Sequence, residues 1–459
     1  MTEQLQEYGE RADSGVKWLG NIPSHWVLKQ LKQAIKSGSS ISYGIVQPGE
    51  PQDDGVPFVQ TTNMSRGDFS LDILQRTTKS IAYSYPRSEL LGGEVILGIR
   101  ASIGAAYVVP VSLRGCNLSR GVARIIPANT LDPTYLVWYL RSRSVEDYWG
   151  LSSQGSTFSE VSIDTVKKLI LLAPPLEEQT QIVAFLNYET AKINALIEKQ
   201  QQLIELLKEK RQAVISHAVT KGLNPDALMR DSGVEWLGKV PAHWSVCQLK
   251  FNTLQMQTGP FGSQLHAEDY IEDGIPLVNP AHMVVGQIRP ESNCTVDEKT
   301  QARLARHKLS QGDLIIARRG EMGRCAVVRS ENVGWLCGTG SLRATLSARL
   351  CPEYAYMLVS SEGVKAELSL ESRGSTMDNL NTDTLGNIRI PVPPRAEQEA
   401  ILQHVENVSG RFEALEQSAI RQSELLQERR TSLISAAVTG KIDVRGWKPP
   451  ASDADAEVA

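Results

Sequence analysis

The chain repeats itself. Asp13–Lys32 (DSGVKWLGNIPSHWVLKQLK) and Asp231–Lys250 (DSGVEWLGKVPAHWSVCQLK) agree at 13 of 20 positions, at an offset of 218 residues. One residue later the offset becomes 219 and mostly holds. Gly55–Met64 matches Gly274–Met283, and Gly93–Gly104 (GEVILGIRASIG) matches Gly312–Gly323 (GDLIIARRGEMG). Gly155–Thr157 matches Gly374–Thr376 (GST), and Pro174–Gln179 (PPLEEQ) matches Pro393–Gln398 (PPRAEQ). Lys210–Thr220 (KRQAVISHAVT) matches Arg429–Thr439 (RRTSLISAAVT). Agreement at one offset over this length means duplication. So long a period makes each copy a domain-sized unit rather than a solenoid turn. The 459 residues also exceed one ordinary core. Similarity is uneven: residues 65–92 and 105–154 share little with 284–311 and 324–373. A common frame therefore carries two diverged surfaces.

Each copy opens with a short, turn-rich, β-rich region. Glu94–Ile99 and Asp313–Ala317 are apolar runs beside glycines and predict a buried strand. Gly49–Pro57 and Gly259–Ser263 have loop composition. Pro133–Tyr148 and Pro352–Leu368 predict helices with proline in the first turn. Leu169–Leu172 and Ile388–Pro391 predict a last strand before the double proline.

A long helix follows. Leu176–Thr220 holds no glycine or proline, and Arg395–Thr439 holds one glycine, Gly410. About 45 residues at 1.5 Å each span roughly 65 Å, too long for a compact domain without a partner along the length. Apolar residues recur four and three apart. The first seam is Ile182, Leu186, Glu189, Ile193, Leu196, Gln200, Leu203, Leu207, Lys210 and Val214. The second is Ile401, Val405, Val408, Phe412, Leu415, Ala419, Gln422, Leu426, Arg429 and Leu433. Two matched coiled-coil stripes in one chain most simply bury each other. The polar interruptions Gln200, Lys210, Gln422 and Arg429 either fix register or face solvent. Antiparallel pairing would relate the halves by a pseudo-twofold axis, an arrangement suited to DNA read in two separated pieces.

Charge does not advertise that role. The net charge is −4. Residues 20–175 carry 15 Lys+Arg against 12 Asp+Glu, and residues 239–394 carry 16 of each. The chain either does not bind DNA or shares the electrostatic work with a partner. Cys116, Cys247, Cys294, Cys325, Cys337 and Cys351 contain no CxxC pair and do not follow the repeat, so they are expected reduced and mostly buried. The polar N-terminus and the absence of a long apolar run point to the cytoplasm.

The paired DSGVxWLGxIPxHW openings, the G[DE]xIxxxR-like strand, the QGST-like turn, PPxxEQ and the helix-end LISxAVTGKID (Leu433–Asp443) together resemble the specificity subunit of type I restriction-modification systems. The resemblance covers residues 13 to about 446; each motif is weak alone, but the ordered set, found twice, is specific. The inverted Lys221-Gly222 against Gly440-Lys441 at the helix ends is a small departure. The resemblance implies an α+β fold: two β-rich target recognition domains separated by two long antiparallel coiled-coil helices in an internal pseudo-twofold repeat. Domain 1 would cover residues 1–175, a central spacer helix 176–222, domain 2 residues 223–394, a C-terminal helix 395–441 and a polar tail 442–459. It further implies recognition of a bipartite, asymmetric DNA target. Two methyltransferase (modification) subunits and two translocase-nuclease (restriction) subunits would assemble on the chain. S-adenosylmethionine, ATP and Mg would belong to those partners, leaving this chain without catalytic, cofactor or metal residues.

The residues agree with that division of labour. Asn279-Pro280-Ala281-His282 is the nearest approach to an adenine methyltransferase [ND]PP[YF] tetrapeptide and lacks its second proline and aromatic ring. Gly338-Thr339-Gly340 is a lone GxG, more often a turn than a cofactor loop, and no GxxxxGK[ST] occurs. His25 and His243, beside Trp26 and Trp244, read as a structural pair with no nucleophile at hand. DNA-contact candidates are Arg66, Arg76, Lys79, Arg100, Arg114 and Arg120 in the first half, and Arg303, Arg306, Lys308, Arg318, Arg319 and Arg324 in the second. Any one of them is otherwise a solvated charge, and Arg100 and Arg319, equivalent in the repeat, suit a framework role equally well. Gly259–Ser263 either approaches a DNA backbone or turns the chain. A stand-alone DNA enzyme and a protein-interaction adaptor are the competing readings.

Overall fold

The computed structural model describes residues 6–152, 160–372 and 380–449. The Gly155–Thr157 and Gly374–Thr376 turns lie outside them. The chain divides into two units, Met1–Gln201 with Arg421–Ala459, and Gln202–Ile420. Neither is a contiguous copy of the repeat. Each takes one β-rich region, the near half of one long helix and the far half of the other.

In the first unit a four-stranded antiparallel sheet runs Ser42–Tyr43, Val122–Ile125, Val95–Gly98, Ala106–Val108. A three-stranded sheet, Arg76–Thr77, Val56–Val59, Asn117–Leu118, includes one parallel pair. Val95 and Leu97 face the larger core, and Ile96 faces a second one. Burial on both faces explains why this strand reads as an unbroken apolar run rather than an alternation. The second unit repeats the plan. Its sheet runs Thr253–Thr258, Ser341–Leu346, Leu314–Ala317, Cys325–Val327. Leu314 and Ile316 face one core, and Ile315 faces another. The strands Ile170–Ala173 and Arg389–Val392 pair with Val27–Gln30 and Ser245–Gln248 in their respective units. A difference falls at the short helix Thr61–Arg66, which the hairpin Met283–Val284/Gln287–Ile288 replaces in the second unit.

The single helix predicted over Pro133–Tyr148 is two helices, Pro133–Leu140 and Arg143–Ser152. Asp132 caps the first through the N–H groups of Thr134 and Tyr135, at 2.8 and 2.9 Å. Ser142 ends it: its hydroxyl donates to the Tyr139 carbonyl at 2.7 Å, while its own carbonyl accepts from Val145 and Glu146. A serine hydroxyl competing for backbone carbonyls breaks the ladder at that point. Ser361 does the same between Pro352–Val359 and Glu362–Ser372, donating to Leu358 at 2.6 Å.

The long helices span Leu176–Lys221 and Arg395–Val438 and pair antiparallel. In the first unit Ile182, Phe185 and Leu186 share a core with Ile434, Ala437 and Val438. In the second, Ala218 and Val219 share one with Ile401 and Val405. Gln200 donates to Gln422 at 3.1 Å in the first unit, and Arg211 meets Glu413 at 3.1 Å in the second. Lys210 and Arg429 face solvent. The fold is thus the α+β internal repeat that the sequence predicts.

The seam needs one correction. Leu196, Leu203 and Leu415 are 41%, 43% and 55% exposed, while Ile197, Ile204 and Glu416 are the more enclosed neighbours. A strict four-three spacing drifts about 20° per heptad around a straight helix, and the buried stripe follows the 3.6-residue period instead. Ile182, Leu186, Ile193 and Val405 are buried; Leu207, Val214, Val408, Phe412, Leu426 and Leu433 are half-buried. Each helix ends at a glycine in the left-handed region, Gly222 (φ +79°) and Gly440 (φ +66°). Among the described residues no helix is long and apolar enough to cross a membrane.

Candidate nucleic-acid interface

The repeated motifs build the joint between each β-rich region and its helices. Gln179, fully buried, accepts from the Asp132 N–H at 2.8 Å and donates to the Thr130 and Pro174 carbonyls at 3.0 and 2.8 Å. Gln398 makes the equivalent bonds to Cys351, Arg349 and Pro393 at 2.8, 2.8 and 3.0 Å. This is why PPxxEQ ends in glutamine: one amide satisfies three backbone groups that the helix start would otherwise leave buried and unpaired. The preceding glutamate meets the repeat's histidine, His25–Glu178 and His243–Glu397, both at 2.8 Å. Tyr354 donates to the Val219 carbonyl at 2.8 Å, tying Pro352–Val359 to the end of the first long helix.

Two functional-frame residues escaped the sequence reading. Arg124 and Arg343 are buried on the strand beside the G[DE] strand. Arg124 pairs with Glu94 at 3.2 Å, and Arg343 lies 3.9 Å from Asp313. The acids also accept N–H bonds from Leu91 and Ser310, at 2.7 and 2.8 Å. The signal was present as an acid and an arginine, each recurring at offset 219. Nothing in one dimension said that they touch.

At one end of the sheet, loops converge. A Cβ on Gly121 would lie 2.4 Å from Thr61 Cγ2 and 3.5 Å from Arg100 Cβ. Thr61, Arg100 and Arg120-Gly121 therefore share one place. The Arg120 N–H donates to the Ile45 carbonyl at 2.8 Å, which adds the loop bearing the exposed Tyr43 and Val46. The Gln60 amide donates to Gln75 at 3.1 Å beside them. Arg100 pairs with Glu160, and its neighbour Ala101 is held at φ +52°, a conformation L-residues resist. Arg120 is exposed and has no carboxylate partner among the described residues.

The second unit assembles the same place from different residues. A Cβ on Gly259 would lie 1.8 Å from the Gly338 carbonyl oxygen, so this glycine serves close chain crossing. Asn279 accepts from the Gly340 N–H at 3.2 Å, and the Arg318 N–H donates to the Gly340 carbonyl at 2.9 Å. Arg318 Nε donates to the Leu380 carbonyl at 2.9 Å, and Arg324 bonds Glu321 at 2.7 Å and the Pro280 carbonyl at 3.3 Å. Arg319 and Phe261 are exposed there. Arginine and amide side chains on such loops can donate to base edges and phosphates.

Other candidates lie elsewhere. Arg76 donates to the Gly55 carbonyl at 3.2 Å and Arg114 to the Leu91 carbonyl at 3.0 Å. Lys79 and Arg66 are exposed at the start and end of two short helices. Arg303 meets Asp269 at 2.6 Å, Arg306 donates to His307 Nε2 at 3.0 Å, and Lys308 is half-buried. His307 is buried, and burial together with Arg306 pushes its pKa below the ordinary histidine value. Its neutral form therefore stabilises the fold fully above pH about 6.5, and that contribution is lost as pH falls through the depressed folded value. Thermal melts of the wild type and His307→Gln between pH 8 and 5 check this: the wild type should lose stability on acidification more steeply. All six cysteines are free; Cys116, Cys325, Cys337 and Cys351 are buried, and burial raises their pKa.

The family described as type I restriction modification DNA specificity domain matches residues 23–206 and 275–423. The type I restriction enzyme EcoKI specificity subunit of Escherichia coli K12 is 21% identical over 441 residues, 94% of this chain and 91% of that one. The MjaVIII specificity subunit of Methanocaldococcus jannaschii is 22% identical over 324 residues, 69% of this chain and 71% of its own length. A solved structure concerned with complex assembly and conformational transition of the type I R-M system aligns at TM-score 0.65 and 17% identity, covering 92% of this chain and 99% of that one. The HsdS subunit from Thermoanaerobacter tengcongensis aligns at TM-score 0.53 and 17% identity, over 92% of this chain and 98% of that one. The twofold family match, spanning most of the chain, shows that this protein belongs to the DNA specificity subunits of type I restriction-modification systems.

Proposed function

We propose that this chain reads a bipartite, asymmetric DNA target, one half-site per unit, and performs no chemistry itself. The observation that carries the reading is the pair of equivalent loop clusters with unlike residues at matching positions. Gln60, Thr61 and Arg120 stand in one, where Asn279, Pro280 and Thr339 stand in the other. A shared frame bearing different hydrogen-bonding groups is what two different half-sites require. The long helices would set the spacer and offer docking for two methyltransferase and two translocase-nuclease subunits. Those partners would hold S-adenosylmethionine, ATP and Mg, and so supply what a near-neutral reader lacks in charge and catalytic groups.

The test is to map methylated adenines made by the assembled complex with Arg120→Gln or Arg319→Gln. Each arginine reading a base is worth about 1–3 kcal/mol of discrimination, or roughly 5- to 150-fold. Each variant should relax or weaken one half-site and leave the other half and the spacer unchanged. Unaltered half-sites in both variants, or methylation by the chain alone, would overturn the reading.

A further inference from the structure

The duplicated frame provides its own control for an arginine cluster in the first unit. Tyr107 stands at its centre. Its hydroxyl donates to the Met64 carbonyl at 3.0 Å, and a Cβ on Gly67 would lie 3.1 Å from it, so the end of the short helix carrying Arg66 rests on this ring. The Arg141 guanidinium lies over the same ring, 4.5 Å from its centroid. Arg141 Nε donates to the Ala106 carbonyl at 2.9 Å, and its remaining N–H groups have no acceptor among the described residues. Just beyond, the Arg143 N–H donates to Ser435 Oγ at 2.9 Å, which seats this corner on the second long helix. Arg430, on that helix, has its Nε buried without a partner among the described residues. Burial draws Arg141 below its usual pKa, and Arg430 adds to the effect.

The equivalent positions in the second unit lack this charge. Arg66, Tyr107 and Arg141 correspond to Val285, Ala326 and Ser360. Arg430 corresponds to Arg211, whose charge Glu413 neutralises at 3.1 Å, whereas Glu413 itself corresponds to Asn194 in the first unit. The frame thus accommodates an ion-paired arginine in one unit, whereas in the other Arg66, Arg141 and Arg430 make no ion pair among the described residues, Asp68 near Arg66 being bonded to Ser70. Like charges held together without a counter-ion form a site for an anion.

We propose that Arg66, Arg141 and Arg430 bind a phosphate of the DNA backbone, anchoring the duplex while the neighbouring loops read bases. The inference rests on the DNA-reading function above. Position favours DNA: the helix Thr61–Arg66 starts in the loop cluster, at Thr61, and ends at the arginines. Six residues of helix make that separation about 9 Å, within the reach of one bound duplex. Guanidinium donors suit phosphate oxygens, and such contacts position the duplex without carrying sequence information.

The experiment measures duplex affinity of the assembled complex across a salt series, for target and non-target DNA. Arg66→Gln and Arg430→Gln should each weaken binding about tenfold on both DNAs and reduce the slope of log K against log salt by about 0.9. Arg430→Lys should restore most of the slope, separating charge from a packing defect. Arg211→Gln in the second unit should leave it unchanged. An unaltered slope in Arg66→Gln and Arg430→Gln overturns the phosphate site while leaving base reading intact. Lost recovery of the partner subunits with the slope retained assigns the cluster to an acidic protein segment and also overturns it. A wild-type complex that binds target and non-target DNA equally well defeats the reading function itself.

Discussion

Arg124→Met is expected to destabilise the first unit by about 3–5 kcal/mol, because it leaves a buried carboxylate without its counter-charge. The Glu94 side chain is 2% exposed, and Arg124 Nε at 3.2 Å is its cationic partner. Water cannot replace the guanidinium there, and the Leu91 N–H alone does not neutralise the charge. Arg124 also donates to the Arg87 carbonyl at 3.1 Å, so the strand Val122–Ile125 loses two anchors at once. Denaturant unfolding followed by fluorescence should show the loss. The double variant Glu94→Gln/Arg124→Met should recover part of it, since replacing both partners removes the stranded charge. A single variant as stable as the wild type would sink this account of the pair.

Gln398→Leu is expected to cost a comparable amount, about 3 kcal/mol or more, despite the near-equal size of the side chains. Leucine fills the space but leaves the Cys351 N–H and the Arg349 and Pro393 carbonyls buried without partners. Each such group costs about 1–3 kcal/mol. The damage is local to the joint where Pro352–Val359 meets the start of the second long helix. Hydrogen exchange should therefore rise at Cys351 and around residues 395–402 before it rises in the strand Leu314–Ala317. Gln398→Glu should rescue only in part: a carboxylate accepts from the Cys351 N–H but cannot donate to the two carbonyls.

Both predictions concern residues that the repeat marked without explaining. PPxxEQ recurs in the sequence, yet its glutamine and glutamate act on segments some 47 and 153 residues away, at Asp132 and His25. The G[DE] acid recurs too, and its arginine partner stands 30 residues on, across a strand pair. Local patterning reaches helix starts, apolar strands and the long helical stripe, because those signals arise from neighbours three or four residues apart or from alternating ones. It placed Arg100 and Arg120 among the candidates, but equally Arg303 and Arg306, which the fold spends on Asp269 and His307. Basic residues look alike in one dimension; whether a carboxylate or a carbonyl stands opposite them is a tertiary matter.

The sequence by itself determined that two like units exist, that each carries a buried strand and a long amphipathic helix, and that the frame is shared while the middles differ. A duplication and a hydrophobic period are properties of order along the chain. Tertiary structure alone decided that the unit boundaries cut both long helices, with residues 421–459 completing the first unit and 202–420 forming the second. It also moved the helix stripe away from Leu196, Leu203 and Leu415, split two predicted helices at Ser142 and Ser361, and brought Thr61, Arg100 and Arg120 to one edge. The physical reason is common to all of these. Burial, ion pairing and loop convergence depend on which surfaces meet, and that is set by packing between segments far apart in the chain.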